Sequence, residues 1–200
     1  MTAVANHSAR NVRITGTSES SGGRFQRLTV LGDCTFHGAV ECKSLRGMGE
    51  VEVNGNLTVG GLRMMGNMEV HGNLEVTTAN VLGEMQVSGD CTGDVLTLRG
   101  AFNVDGLLSA DDLRVKLYGP SRVRDMGGAS LVVRKRYGKA AELVAEVIEG
   151  DEVNLQFTTA EVVRGRRVVL GRGCRVKRVE YQDVFEQNSD AVVEEAVQLH

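Results

Sequence analysis

Apolar residues along this chain alternate in short apolar-x-apolar pairs, and each pair recurs at every seventeenth position. One column reads Leu28, Leu45, Leu62, Ala79, Leu96 and Leu113; a second reads Cys34, Val51, Met68, Met85 and Phe102; a third reads Val40, Leu57, Leu74, Cys91 and Leu108. Each has a companion column two positions further on, and in the companion of the first, Val30, Gly47, Met64, Val81, Leu98 and Val115, only Gly47 is a gap. Glycines keep the same step, at 32, 49, 66, 83 and 100 and again at 38, 55, 72, 89 and 106.

Such short alternation marks a strand with one buried face, and the glycines between the pairs mark corners. Three strands and three corners close a triangular coil. Coils stacked about 4.8 Å apart pair each strand in parallel with its successor, so the inward columns become ladders filling a narrow core. The pattern predicts an all-β fold, a single-stranded parallel β-helix (β-solenoid) with three short strands per turn. Strands begin at 28, 34, 40 and 45. These steps depart from the strict hexads of left-handed solenoids and favour a right-handed coil.

The regular turns span 28–112, within a solenoid expected over 12–181, after an N-terminal tail at 1–11. Ser18 to Gly23 interrupts the first coil, and the turn from Leu113 to Leu131 is one position longer than the regular ones. Residues 135–147 read as an irregular connection, either a short helix carrying Ala141, Leu143, Val144 and Val147 or a bulge. From 148 to 181 the alternation predicts looser turns of about 20 residues. Residues 182–200 hold five acids and no base, which predicts a mobile acidic tail.

Charge and candidate chemistry narrow the function classes. A net charge of −3 gives no general attraction to nucleic acid, and none is expected as a partner. No apolar run approaches the roughly 18 residues of a spanning helix, and Met1 to Ser20 lacks the pattern of a signal peptide, so a cytoplasmic location is expected. Cys34, Cys42, Cys91 and Cys174 form no C-x-x-C pair, and the first three occupy inward columns, where thiols serve as small hydrophobes. A phosphate-binding G-x-x-x-x-G-K-[ST] is absent, so no nucleotide is expected. His37 and His71 lie two turns apart, about 10 Å, too far to share one zinc. The acids Asp33, Glu50, Glu84, Asp90, Asp94, Asp111 and Asp112 lack the nonapeptide of a calcium-binding β-roll. No catalytic residue, cofactor or metal site is expected, and the chain is read as a non-enzyme. Asn56 and Asn73 follow corner glycines on successive turns, where stacked amides can hold the register. Outward positions separate by charge, with Arg46, Arg63 and Arg114 on the first face, Glu52 and Glu69 on the second, and Glu41 and Glu75 on the third. Such stripes keep a solenoid soluble, and they can also guide lateral pairing or contact with anionic lipid.

The segments V-N-G-N-L-T-V (53–59) and V-H-G-N-L-E-V (70–76) resemble the repeated units of bactofilins. L-Y-G (117–119), I-E-G-D-E-V (148–153), V-V-R-G (162–165), L-G-x-G-C (170–174) and V-E-Y (179–181) look like the polymer-forming cytoskeletal members from bacilli, and the resemblance covers about residues 11–187. It implies a bacterial cytoskeletal structural protein that assembles end to end without nucleotide and acts as a scaffold for cell-shape or envelope-related processes. The implied partner is the chain itself, with cell-envelope proteins or the inner membrane surface as further candidates. The extension from Lys135 to Tyr181 and the lack of an obvious membrane-binding N-terminus depart from the commonest pattern.

A solenoid exposes its terminal coils unless something caps them. No capping helix is evident before Val12, nor after Tyr181 unless Val192, Val193, Ala196, Val197 and Leu199 fold back. Candidate polymerisation ends are therefore Val12, Ile14 and Phe25 on one side and Val176, Val179, Tyr181 and Phe185 on the other. Two rivals remain, a monomeric scaffold binding an envelope or membrane partner, and a left-handed solenoid acyltransferase, which requires a strict hexad, a trimer and a catalytic histidine.

Overall fold

In the computed structural model, which describes residues 10–136 and 140–199, every regular element is a strand and every strand pairing is parallel. The order along the rod is β1 (Arg10–Thr15), β2 (Ser18–Ser20), β3 (Gly23–Phe36), β4 (Val40–Val53), β5 (Leu57–Val70), β6 (Leu74–Val87), β7 (Cys91–Leu117), β8 (Ser121–Lys135), β9 (Leu143–Leu155), β10 (Thr158–Leu170), β11 (Arg175–Gln187) and β12 (Val192–Gln198). From β3 onward each strand bonds to the next in sequence, and β1 and β2 both lie on β3, so the chain winds as a β-solenoid of about eleven coils. At the usual strand spacing that makes a rod roughly 50 Å long.

The period of the sequence is the register itself: Leu28 pairs with Leu45, Leu45 with Leu62 and Leu62 with Ala79. The inward pairs of the regular coils are buried in one continuous core. Gly47 has no side chain to contribute, and the Met64 thioether of the next coil occupies the space where its Cβ would stand. Corners differ from the expected breaks between three short strands. One corner of the earlier regular coils leaves the ladder, for example at 54–56 and 71–73, while β4 and β5 turn the other two as continuous strand, and β7 runs unbroken even through the corresponding corner at 105–107. Gly49 and Gly66 make this possible with φ of +122° and +123°, a backbone that bends sharply while its neighbours stay hydrogen-bonded across coils.

Beyond residue 112 the coils differ from expectation in three respects. First, of the two readings of 135–147 the helix fails, since Ala141 is buried and β9 begins at Leu143, while the bulge agrees with the pairing of Leu143 to Ser121, a step of 22 residues where the regular coils take 17; residues 137–139 of the expected connection lie outside the described residues. Second, the late turns are compact. Leu143 pairs with Thr158 and Val176 with Val193, steps no longer than those of the regular coils, because β9 and β10 round their corners as continuous strand and leave no slack for the looser turns expected. Third, the acidic segment is not a tail. β11 runs to Gln187 and β12 adds a further partial coil, because its acids point outward onto arginines of earlier coils: Glu186 accepts from Arg167 at 2.7 Å and Glu195 from Arg178 at 3.1 Å. At the other end the first strand starts at Arg10, inside the span expected as tail.

Candidate functional site: the terminal coils and the outer faces

The first coil consists of β1, β2 and the start of β3. Val12 and Ile14 lie over Leu28 and Val30, and Ser18 and Ser20 lie over Cys34 and Phe36. Phe25 packs edge-on against Phe36 with ring centroids 6.2 Å apart. Val12, Ile14 and Phe25 are half-buried against the core; Val12 and Ile14 have no described strand outside them, as an end position requires, whereas Arg10 pairs over Phe25 on its outer side.

At the far end the expectation needs correction. Val176 and Val179 are interior residues, 3% and 0% exposed, because Val193 and Ala196 of β12 pair directly over them. Tyr181 and Phe185 remain half-buried, stacked on each other at 5.5 Å, and Phe185 has no described strand outside it. Val193 and Ala196 therefore join Phe185 as the apolar groups of this end. Their signal was in the sequence: Ala191-x-Val193 follows Cys174-x-Val176 by one regular period. Two glutamines share the end surface. Gln187 Nε2 donates to the Ala191 carbonyl at 2.8 Å, and Gln198 Nε2 donates to the Gln182 carbonyl at 2.9 Å.

Side-chain polarity elsewhere serves the coil. Asn56 and Asn73 do not bond to each other through their amides; each Oδ1 accepts from a backbone N–H one coil on, at Asn73 (2.9 Å) and Asp90 (3.0 Å), and Asp90 continues the ladder to the Leu107 N–H at 2.8 Å. Thr158 and Ser121, buried and not foreseen, complete corners: Thr158 Oγ1 donates to the Gln156 carbonyl, and Ser121 Oγ accepts from the Phe102 N–H. All four cysteines are buried free thiols. Burial pushes Cys91 up to about 12 and Cys42 to about 11, and raises Cys34 and Cys174 as well, so none is poised as a thiolate. His71 Nε2 sits 3.4 Å from Glu52 and 3.3 Å from Glu69, and His37 Nε2 lies 3.1 Å from Glu19.

Arg46 and Arg63 stand on adjacent coils of the first outer face. Arg114 shares the face but is occupied, its guanidinium 2.6 Å from Asp112. Arg13 and Arg27 extend the basic patch toward the first coil, lining one shallow groove with Arg46, Arg63 and the small residues Gly61 and Thr78. Arg13 escapes the regular count because the first coil is one position shorter than those that follow. The far end handles its arginines differently. Arg164 donates to Glu180 at 2.6 Å and to Glu149 at 2.8 Å, an arrangement that lowers the Glu180 carboxyl and raises the guanidinium.

No helix among the described residues is long and apolar enough to cross a membrane. No protein-family model matches the chain, and no solved structure matches it. It is similar to two uncharacterized proteins of Bacillus subtilis (strain 168). YhbF is 35% identical over 98 residues, covering 46% of this chain and 42% of that protein. YhbE is 36% identical over 102 residues, covering 46% and 43%. The chain thus spans less than half the length of the curated relatives it matches.

Proposed function

We propose that the chain is a bactofilin-like structural subunit, without enzymatic activity, whose rods join end to end without nucleotide and serve in the cytoplasm as a scaffold for shape or envelope-related processes. One observation carries this reading: a parallel coil of steady register whose first and last described coils each leave a ladder edge and half-buried apolar groups, Val12, Ile14 and Phe25 at one end and Phe185 and Val193 at the other. Burying one such side chain is worth about 1.5–3 kcal/mol, so a joint that continues the ladder gains from several at once. The alternative of a monomeric scaffold has its own support, because Ser18, Ser20, Gln187 and Gln198 put polar groups at inward positions of the terminal coils.

Negative-stain electron microscopy of the purified protein, without nucleotide or metal and over low to moderate salt, decides between them. Unbranched filaments a few nanometres wide are expected. Particles of monomer size at every concentration refute the filament reading and leave the scaffold.

A further inference from the structure

Four successive coils place three outward residues in a row around one corner: basic or polar, then apolar, then, past the corner glycine, acidic or polar; the pattern stops at the sixth coil, which reads Thr97, Arg99, Ala101. The second coil reads Thr29, Leu31, Asp33; the third Arg46, Met48, Glu50; the fourth Arg63, Met65, Asn67; the fifth Asn80, Leu82, Glu84. Stacking turns these into an apolar seam, with an arginine column on one flank and a carboxylate column on the other. The seam is uncovered: Met48 is 55% exposed, Met65 50% and Leu82 36%. Neither Arg46 nor Arg63 has a carboxylate within ion-pair distance among the described residues, and neither Glu50 nor Glu84 has a cation there. These charges contrast with the mutually neutralised arginines and glutamates at the far end.

We infer that this corner is a lateral docking edge for a second copy of the chain, lying parallel and in register. The choice of partner follows from symmetry. Rotating one rod by half a turn about an axis parallel to its length sets seam against seam and exchanges the flanks, so the arginine column of each copy lies beside the carboxylate column of the other. In register, Arg46 of each copy faces Glu50 of the other at the same level, and Arg63, opposite Asn67, lies one coil from both Glu50 and Glu84 of the other copy. An antiparallel arrangement sets arginines against arginines and carboxylates against carboxylates, and is disfavoured. The design is that of a coiled coil, an apolar stripe flanked by complementary charges that fix orientation, written on a β-solenoid. Four apolar residues make a small interface, so a single pair is weak. Pairing along joined rods multiplies it through effective concentration. The edge uses the sides of the rod and holds whether or not the ends join.

The in-register parallel arrangement places Met65 of one copy against the same residue of the other. In Met65→Cys, a disulfide-linked dimer is expected to form under mild oxidation at least tenfold faster than in Thr58→Cys, an exposed control on another face; the native thiols are buried. Adding Arg46→Glu and Arg63→Glu should abolish that advantage, and adding Glu50→Arg and Glu84→Arg to those two should restore it. Cross-linking at Met65→Cys no faster than at the control overturns the inference. So does an advantage unaffected by the charge changes, or one lost on reversal and not restored by the compensating pair. A dimer preferring mixed Met48→Cys and Met65→Cys pairs over like pairs means a staggered or antiparallel edge and overturns it too. Circular dichroism of each variant checks that the solenoid is intact.

Discussion

Gly66 and Gly61 both lie in β5, yet alanine should act on them in opposite directions. Gly66 turns a corner at φ +123°, a region that side chains rarely adopt, and a Cβ there runs into the Gly49 carbonyl oxygen one coil below. That oxygen belongs to ladder backbone held on both sides and cannot move without opening the coil. The backbone conformation alone costs about 1–3 kcal/mol. Displacing a paired carbonyl adds the loss of at least one hydrogen bond, about 0.5–1.5 kcal/mol, for a total of about 3 kcal/mol. Gly61 has an ordinary φ, and its added Cβ would meet only Thr78 Oγ1 at 3.8 Å, an ordinary contact. There the substitution trims the entropy of the unfolded chain and should stabilise by about 0.4–1 kcal/mol. Urea unfolding followed by circular dichroism reads both: the midpoint should fall for Gly66→Ala and hold or rise for Gly61→Ala, at unchanged slope. Equal midpoints would refute the claim that positive-φ corners carry the continuous strand around the coil.

Val70 is fully buried in the middle of a ladder, and Val70→Asp should cost more than about 4 kcal/mol and abolish the cooperative transition, since nothing there pairs a carboxylate. Val179→Arg should loosen β12 and expose residues 182–199 to proteolysis, whereas Ala196→Arg, on the uncovered side, should leave the protease pattern unchanged; identical patterns would contradict the placement of β12. The thiol of Cys91 makes stability pH-dependent in one window. The unfolded thiol loses its proton above 9.0 while the folded one keeps it to about 12, so this contribution is intact below 9.0 and declines as pH rises, by up to about 1.4 kcal/mol per pH unit. Comparing denaturation midpoints of the wild type and Cys91→Val from neutral to strongly alkaline pH isolates it, and parallel curves would argue against a buried neutral thiol.

The fold was legible because its period is written in residues that nothing else needs: a glycine at two of the three corners and an apolar pair on each face. What was lost is also physical. Glu186, Asp190, Glu194 and Glu195 read as a solvated tail when counted by composition, and only the outward placement of Glu186 and Glu195 beside Arg167 and Arg178 shows the segment as strand. Residues 135–147 left helix and bulge both open, because Ala141, Leu143, Val144 and Val147 satisfy a helical spacing as well as a strand with one slip. Ladder pairing to Ser121 and Arg122 decides for strand, a non-local contact invisible to local pattern. Of the site residues, Val12, Ile14, Phe25, Tyr181 and Phe185 lie in or beside the terminal coils, while Val176 and Val179 were placed at an end only because the next coil had been counted as tail.

The inward columns change chemistry at both ends of the rod, and that sets the strength of any joint. Gln187 takes the column held one coil earlier by Leu170, and Gln198 the column held by Tyr181. A head-to-tail contact continuing the register lays Val12 over Phe185, Ile14 over Gln187, and Ser18 and Ser20 over Ala191 and Val193. Only the first of these contacts is wholly apolar. At about 1.5–3 kcal/mol per buried apolar side chain and about 0.5–1.5 kcal/mol per hydrogen bond, the gain only modestly exceeds an association cost of about 4–15 kcal/mol. The joint should therefore be reversible and strongly dependent on concentration. Gln187→Leu replaces the polar partner of Ile14 with an apolar one and should lower the concentration at which sedimentable polymer first forms, by about tenfold for each ~1.4 kcal/mol gained. If that threshold rises instead, the amide is itself part of the joint and Ile14 does not stack upon it.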